Sequence, residues 1–167
     1  ARGLFAAQDN PASAALASLG AAALDLRQGQ FDLALAAAEA AAQVFTSVGI
    51  PGWQAEAELI AAGACVAAGA AAEARARFEV LSQASGANAA IVWRAELGLA
   101  DLDTAEGERA RAAQRLDAVL ATLEARRAAL PGDEARTAFG VDSASVHDRR
   151  IALAWAAFEL GQPGTED

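Results

Sequence analysis

Residues 62–74 read AGACVAAGAAAEA, an alanine-rich run in which Gly69 is the predicted site of a turn. Alanine favours helix on both sides, and glycine readily adopts the left-handed conformation that ends one helix and lets the next begin. Ala62 and Ala74 lie twelve residues apart across this turn. Small side chains at such positions let two antiparallel helices approach closely, so the run predicts a helical hairpin.

The same pattern recurs along the chain with a period near 40 residues. Gly29 precedes Gly69 by 40 residues, Gly107 follows it by 38, and Trp53 and Trp93 are also 40 apart. Each glycine has an alanine seven residues before it and another five residues after it: Ala22 and Ala34, Ala62 and Ala74, Ala100 and Ala112. Because two kinds of marker share one period, we predict three copies of the hairpin.

The three helix pairs are predicted to span residues 11–130, and residues 1–10 are expected to be disordered or frayed. The helices are predicted at 11–28 and 31–48, at 52–68 and 71–84, and at 88–103 and 106–129. Residues 131–167 are predicted to hold a short helix ending near Phe139 and a C-terminal capping helix at about 143–160. Trp53, Trp93 and Trp155 are expected to pack in the core.

The composition of the 167 residues fits a helical protein and excludes several partners. Hydrophobic residues make up 54% and aromatic residues only 5%, so alanine supplies much of the apolar content. The formal charge of -9, with all 13 basic residues arginine, repels the phosphates of nucleic acids and anionic lipids. No stretch has the roughly 20 apolar residues of a transmembrane helix. The single cysteine forms no internal disulfide, which favours a cytoplasmic setting.

The three glycine-centred units resemble the tetratricopeptide repeat, a helix-turn-helix unit whose copies stack on one another. Its usual period is about 34 residues, so the spacing here implies lengthened helices. The resemblance implies an all-α fold, a right-handed α-solenoid of antiparallel helix pairs with an extra C-terminal helix. The alternative is an up-and-down, alanine-rich helical bundle.

A second resemblance covers residues 116–167. The residues that carry it are Leu123-Glu124-Ala125-Arg126-Arg127-Ala128-Ala129-Leu130-Pro131, Glu134-Ala135-Arg136-Thr137-Ala138-Phe139 and Leu160-Gly161-Gln162-Pro163. They resemble the junction between helical repeats and the caspase-like peptidase domain of bacterial CHAT-domain proteins. This resemblance implies that the segment is the sensor or adaptor of a larger bacterial protein whose peptidase domain follows Asp167.

Few residues of this chain suit catalysis. A caspase-like dyad needs a histidine that precedes the cysteine in sequence, and Cys65 here precedes His147. Cys65 lies in an apolar helical stretch, where a buried thiol behaves as a small hydrophobe with a raised pKa, and His147 is expected at a helix surface. One histidine without a second ligand at suitable spacing makes no zinc site. We expect no catalytic residue, no cofactor and no metal.

Carboxylates are expected on solvated helix faces, because residues two apart on a helix point in different directions. This applies to the pairs Glu56/Glu58, Asp101/Asp103 and Glu106/Glu108. Glu73 and Arg77 lie four residues apart in the order that favours a salt bridge, so they are predicted to pair.

The predicted function is a non-catalytic scaffold that binds a protein or peptide in a groove lined by the first helix of each pair. A homodimer through exposed solenoid ends is also expected. The alternatives are an effector-binding segment of a bacterial transcriptional regulator, or a hydrolase that uses Cys65. The predicted groove residues are Leu19, Ala23 and Arg27 in the first pair, Glu56, Leu59 and Gly63 in the second, and Arg94, Leu97 and Asp101 in the third.

Overall fold

The computed structural model describes residues 10–84, 88–129 and 145–156, and all regular structure in these ranges is helical. The helices are α1 (Pro11–Arg27), α2 (Phe31–Ser47), α3 (Pro51–Ala67), α4 (Ala71–Ser82), α5 (Ala89–Ala105), α6 (Arg109–Ala129) and α7 (145–156). The all-α prediction is confirmed, and the ends of α1 to α6 lie within three residues of the predicted ones. The predicted short helix near Phe139, both predicted ends of the last helix and residues 1–9 lie outside the described residues.

Four glycines end helices in the left-handed conformation. Gly29, Gly69 and Gly107 have φ of 79°, 81° and 82°, as their spacing predicts, and Gly49 adds a fourth such turn with φ of 72°. At Gly69 the Ala70 N–H donates to the Cys65 carbonyl at 2.8 Å, and the Gly69 N–H donates to the Val66 carbonyl at 3.0 Å. The other three turns repeat this pair of bonds. It is the Schellman motif, which satisfies the last carbonyls of a helix and reverses the chain within a few residues.

The start of α1 is fixed by a side-chain cap. Asn10 Oδ1 accepts a hydrogen bond from the Ser13 N–H at 3.0 Å, and Pro11 occupies the first turn, where a missing N–H costs no helical bond. Pro51 has the same role in α3, which begins one residue after the Gly49 turn ends at Ile50. Short connections of this kind hold consecutive helices antiparallel and adjacent.

The chain divides within α5 into two compact units, Ala1–Gly98 and Leu99–Asp167. In the first unit, α1 packs on α2, α2 on α3 and α3 on α4, and α1 also contacts α3. Four alanines that the sequence places at helix crossings are fully buried there: Ala22, Ala34, Ala62 and Ala74. Larger residues fill the rest of the core, among them Leu19, Phe45, Leu59, Phe78 and Ile91.

The second unit has its own small core from the end of α5, α6 and α7. Its predicted crossing alanines, Ala100 and Ala112, are also buried. The large buried side chains are Leu99, Leu102, Leu116, Val119, Leu123, Val146 and Leu153. Two surface ion pairs hold α7 in place, Arg149 with Asp101 at 2.9 Å and Arg150 with Asp117 at 2.8 Å.

The tryptophans follow the sequence prediction only in part. The Trp53 ring stacks on Phe45 of the preceding helix pair, with centroids 6.3 Å apart, although its outer face is exposed. Trp93 is half-buried. The expectation that Trp155 packs in the core is wrong, because 61% of its surface is exposed on α7.

Candidate functional site

Arg77 on α4 gathers three carboxylates from three helices. Its Nη1 donates to Glu58 Oε2 on α3 at 2.9 Å, and its Nη2 donates to Glu73 Oε1 one turn earlier on α4 at 2.8 Å. Nη2 also donates to Glu39 Oε1 on α2. The predicted pairing of Glu73 with Arg77 is confirmed. The other two partners lie 19 and 38 residues away in sequence, and helix spacing alone gives no sign of them.

The three carboxylates of this cluster stabilise the charged form of Arg77. Burial opposes the charge of Arg77, whose side chain is 19% exposed, but hydrogen bonds to the three carboxylates outweigh burial and raise its pKa. Three negative charges therefore surround one guanidinium. Both Nη atoms of Arg77 are engaged, and its Nε is buried. The cluster consequently keeps surplus negative charge.

Cys65 lies close to this cluster in the core of the first unit. Burial raises the pKa of its thiol, Glu73 and Glu39 raise it further, and the guanidinium of Arg77 lowers it. The expectation that Cys65 is a buried cysteine is confirmed. His147 is exposed on α7, as predicted, and belongs to the other compact unit.

An open groove of about 710 Å³ runs beside Arg77 between α3, α4 and the start of α5. Residues at helical spacing line it from both long walls, because one stripe of α3 faces one stripe of α4. Val80 on the α4 wall leaves 71% of its surface exposed. Glu58 and Arg77 are the charged side chains of the lining. The lining residues are Pro51, Gly52, Gln54, Ala55, Glu58, Ala76, Arg77, Val80, Leu81, Ala84, Asn88 and Ile91.

The nine groove residues expected from sequence lie elsewhere in the first unit or in the second. Leu19 and Leu59 are buried in the core, and Ala23 and Leu97 are half-buried. Glu56 and Arg94 bind each other at 2.8 Å, and Asp101 pairs with Arg149. Arg27 is exposed at the end of α1, and a Cβ added to Gly63 would approach Leu26 of α1 to 3.4 Å. None of the nine lines the groove described above.

The second unit holds a related arrangement around Asp103. Its carboxylate is fully buried and is bound by Arg111 Nε at 3.0 Å and Arg115 Nε at 2.9 Å. The expectation that Asp103 lies on a solvated face is therefore wrong: it faces the core four residues before the Gly107 turn. Cys65 lies four residues before the Gly69 turn, and Arg77 and Arg115 both lie eight residues after their turns. The two units therefore place a buried residue four positions before the turn and an arginine eight positions after it.

Comparisons with known proteins found no matching family model, no matching curated protein and no matching solved structure. Within the described ranges no helix is long and apolar enough to cross a membrane. Over the same ranges, no three histidine, cysteine, aspartate or glutamate side chains are placed to hold a metal ion. The geometry of the groove therefore carries the functional argument.

Proposed function

We propose that this chain is a non-catalytic scaffold that binds a peptide segment of a partner protein in the groove between α3, α4 and the start of α5. One observation carries the proposal: the groove is open, about 710 Å³ in volume, and walled by apolar side chains beside a charged cluster. Ligand sites commonly measure about 300–1,000 Å³ and combine apolar walls with a few polar groups that fix orientation. Val80, exposed on one wall, would lose its contact with water on binding.

The helix pairs are proposed to stack as a right-handed solenoid of the tetratricopeptide type. Support comes from the identical turns at Gly29, Gly69 and Gly107, from the contact between α1 and α3, and from the matched positions of Arg77 and Arg115. In such arrays each unit contacts its neighbours, and peptides bind along surfaces shared by consecutive units. The groove fits this pattern because it is formed by α3 and α4 together with the first turn of α5.

The resemblance of residues 116–167 to the junction of CHAT-domain proteins supports a more specific proposal. On that basis the chain is the sensor or adaptor segment of a larger bacterial protein, and the captured peptide controls a neighbouring peptidase domain. The scaffold role does not depend on this assignment, since it rests on the groove alone.

The test begins with peptide selection. Random 12-residue peptides displayed on phage are selected on the immobilised protein, and the dissociation constants of the selected peptides are measured by fluorescence anisotropy. Val80→Gln is expected to weaken binding about tenfold, because burying a valine contributes about 1.5 kcal/mol. Leu33→Gln, which alters an aliphatic residue 60% exposed on α2, is the matched control and should leave the affinity within twofold. Selection of no peptide, or equal binding by the Val80→Gln variant, would overturn the proposal.

A further inference from the structure

The groove is built to disfavour anions. Its cation, Arg77, already donates three hydrogen bonds to carboxylates, so a carboxylate or phosphate entering the groove meets a guanidinium whose single positive charge is outweighed by three negative charges. Such a ligand would also approach Glu58, which lines the same wall. Like charges brought together on binding cost affinity and suppress the wrong partners.

Glu58 is placed to receive a cation. Its Oε2 accepts from Arg77, and its side chain remains about one-third exposed, at 34%. Among the described residues no hydrogen-bond donor contacts its Oε1. The surplus charge of Glu39 and Glu73 around Arg77 adds to the negative potential of this wall. A guanidinium or ammonium group at Glu58 would therefore gain a charge-assisted hydrogen bond.

The remaining lining favours aliphatic side chains. Ala55, Ala76, Val80 and Ile91 are apolar and leave room between the helices, while Gln54 and Asn88 supply neutral amides that suit a peptide backbone. The chain has no lysine and a formal charge of -9, so the surface of a second copy lacks the net positive charge that the acidic wall of the groove would attract. The occupant that fits is a basic segment of another protein.

We propose that the groove selects peptides in which an arginine or lysine lies next to aliphatic residues, with the cation on Glu58 and the aliphatic side chains against Val80 and Ala76. This inference rests on the proposed function and adds the chemistry of the partner to it. The cation determines selection and the apolar contacts supply most of the affinity.

Three synthetic 12-residue peptides test this selection. They share the same leucine and valine positions and differ at one central residue, which is arginine, citrulline or glutamate. Citrulline keeps the shape of arginine without its charge. At 50 mM salt the arginine peptide should bind about fivefold more tightly than the citrulline peptide, and the glutamate peptide should bind most weakly. At 500 mM salt the difference between arginine and citrulline should fall below twofold, since salt screens partly exposed charges.

Glu58→Gln should abolish the preference for arginine over citrulline. Its amide oxygen still accepts from Arg77, so folding is preserved, and thermal unfolding verifies this. Glu79→Gln is the matched control: it removes an exposed carboxylate of α4 outside the groove lining and should keep the fivefold preference. Equal binding of the arginine and citrulline peptides, or an unchanged preference in Glu58→Gln, would overturn the inference.

The two proposals fail in different ways. If charge has no effect but Val80→Gln weakens every peptide that binds, the groove remains the docking site and only the cationic preference is refuted. If neither Val80→Gln nor Glu58→Gln changes any affinity, the peptides bind elsewhere and both proposals are refuted.

Discussion

Gly98 on α5 faces the ring of Phe78 on α4 so closely that no side chain fits between them. A Cβ added at Gly98 would lie 2.5 Å from Cζ, 2.6 Å from Cε2 and 2.8 Å from Cε1 of Phe78. Favourable carbon contacts are about 3.5–4.0 Å, so the ring or the helix must move by about 1 Å. Phe78 is only 4% exposed, and a ring buried in a close-packed interior has little room to shift.

We therefore predict that Gly98→Ala destabilises the protein by about 1–2 kcal/mol. Overpacking a core costs about 1–3 kcal/mol, and the better helix propensity of alanine returns up to about 1 kcal/mol. The melting temperature should fall by roughly 2–8 °C, at about 2–4 °C for each kcal/mol in a chain of this size. Urea unfolding followed by circular dichroism measures the free energy, and a thermal scan measures the melting temperature.

Gly20 provides the matched control, since it lies inside α1 and a Cβ added there meets nothing within 4 Å. Gly20→Ala should stabilise the protein by about 0.5–1 kcal/mol, because only helix propensity changes. Phe78→Leu in the Gly98→Ala background should recover part of the loss, giving a coupling energy of about 1 kcal/mol or more. If Gly98→Ala stabilises as much as Gly20→Ala, α4 and α5 are not packed as described.

Three further predictions concern the turns, the buried carboxylate and the thiol. Gly69→Ala, which forces a Cβ into the left-handed conformation, should cost about 1 kcal/mol in thermal unfolding, whereas Gly52→Ala in the first turn of α3 should be neutral or stabilising. Asp103→Asn should cost about 2–4 kcal/mol in urea unfolding because it leaves two arginines without their carboxylate, and Asp101→Asn at an exposed pair should cost under about 1 kcal/mol; equal losses would contradict the buried pairing. The raised pKa of Cys65 favours the neutral thiol in the folded state, so the contribution of Cys65 to stability should be constant below the ordinary thiol pKa of about 8.5 and fall as pH rises above it; a Cys65→Ala variant with the same slope of stability against pH in the alkaline range would refute this.

The sequence located the helices because the signals that end them are local. At a left-handed glycine, the glycine N–H and the following N–H donate to the carbonyls three and four residues before the glycine, so Gly29, Gly69 and Gly107 could be found without knowing any distant contact. The alanines around each turn are likewise fixed by their distance from it. The pairing of Glu73 with Arg77 was found for the same reason, since four residues make one helical turn.

Local spacing could not locate the groove, because its walls come from three different helices. Glu58 and Arg77 are 19 residues apart on different helices, and the three- and four-residue spacing rules apply only within one helix. Leu19 and Leu59 show the limit of the repeat: they are 40 residues apart and equivalent, yet both face the core instead of a partner. The period identifies equivalent positions but does not say which face of a helix remains open.

The burial of Asp103 also could not be predicted from local spacing. A carboxylate is ordinarily assigned to the surface because burial of an unpaired charge is costly. Arg111 and Arg115, one turn apart on α6, offset that cost: Arg115 donates a hydrogen bond to Oδ2, and Arg111 lies within ion-pair distance of Oδ1. The register of the repeat offers a signal after the fact, since Asp103 occupies the position of the buried Cys65 relative to its turn.

The most direct test of the peptide-binding groove is a nuclear magnetic resonance titration of methyl-labelled protein with a peptide selected for binding. Binding in the groove should shift the methyl signals of Val80, Ile91 and Ala55 in proportion to occupancy, while those of Leu33 on α2 stay within error. Saturating peptide that leaves Val80 and Ile91 unshifted, or that moves signals only outside the groove lining, would contradict it.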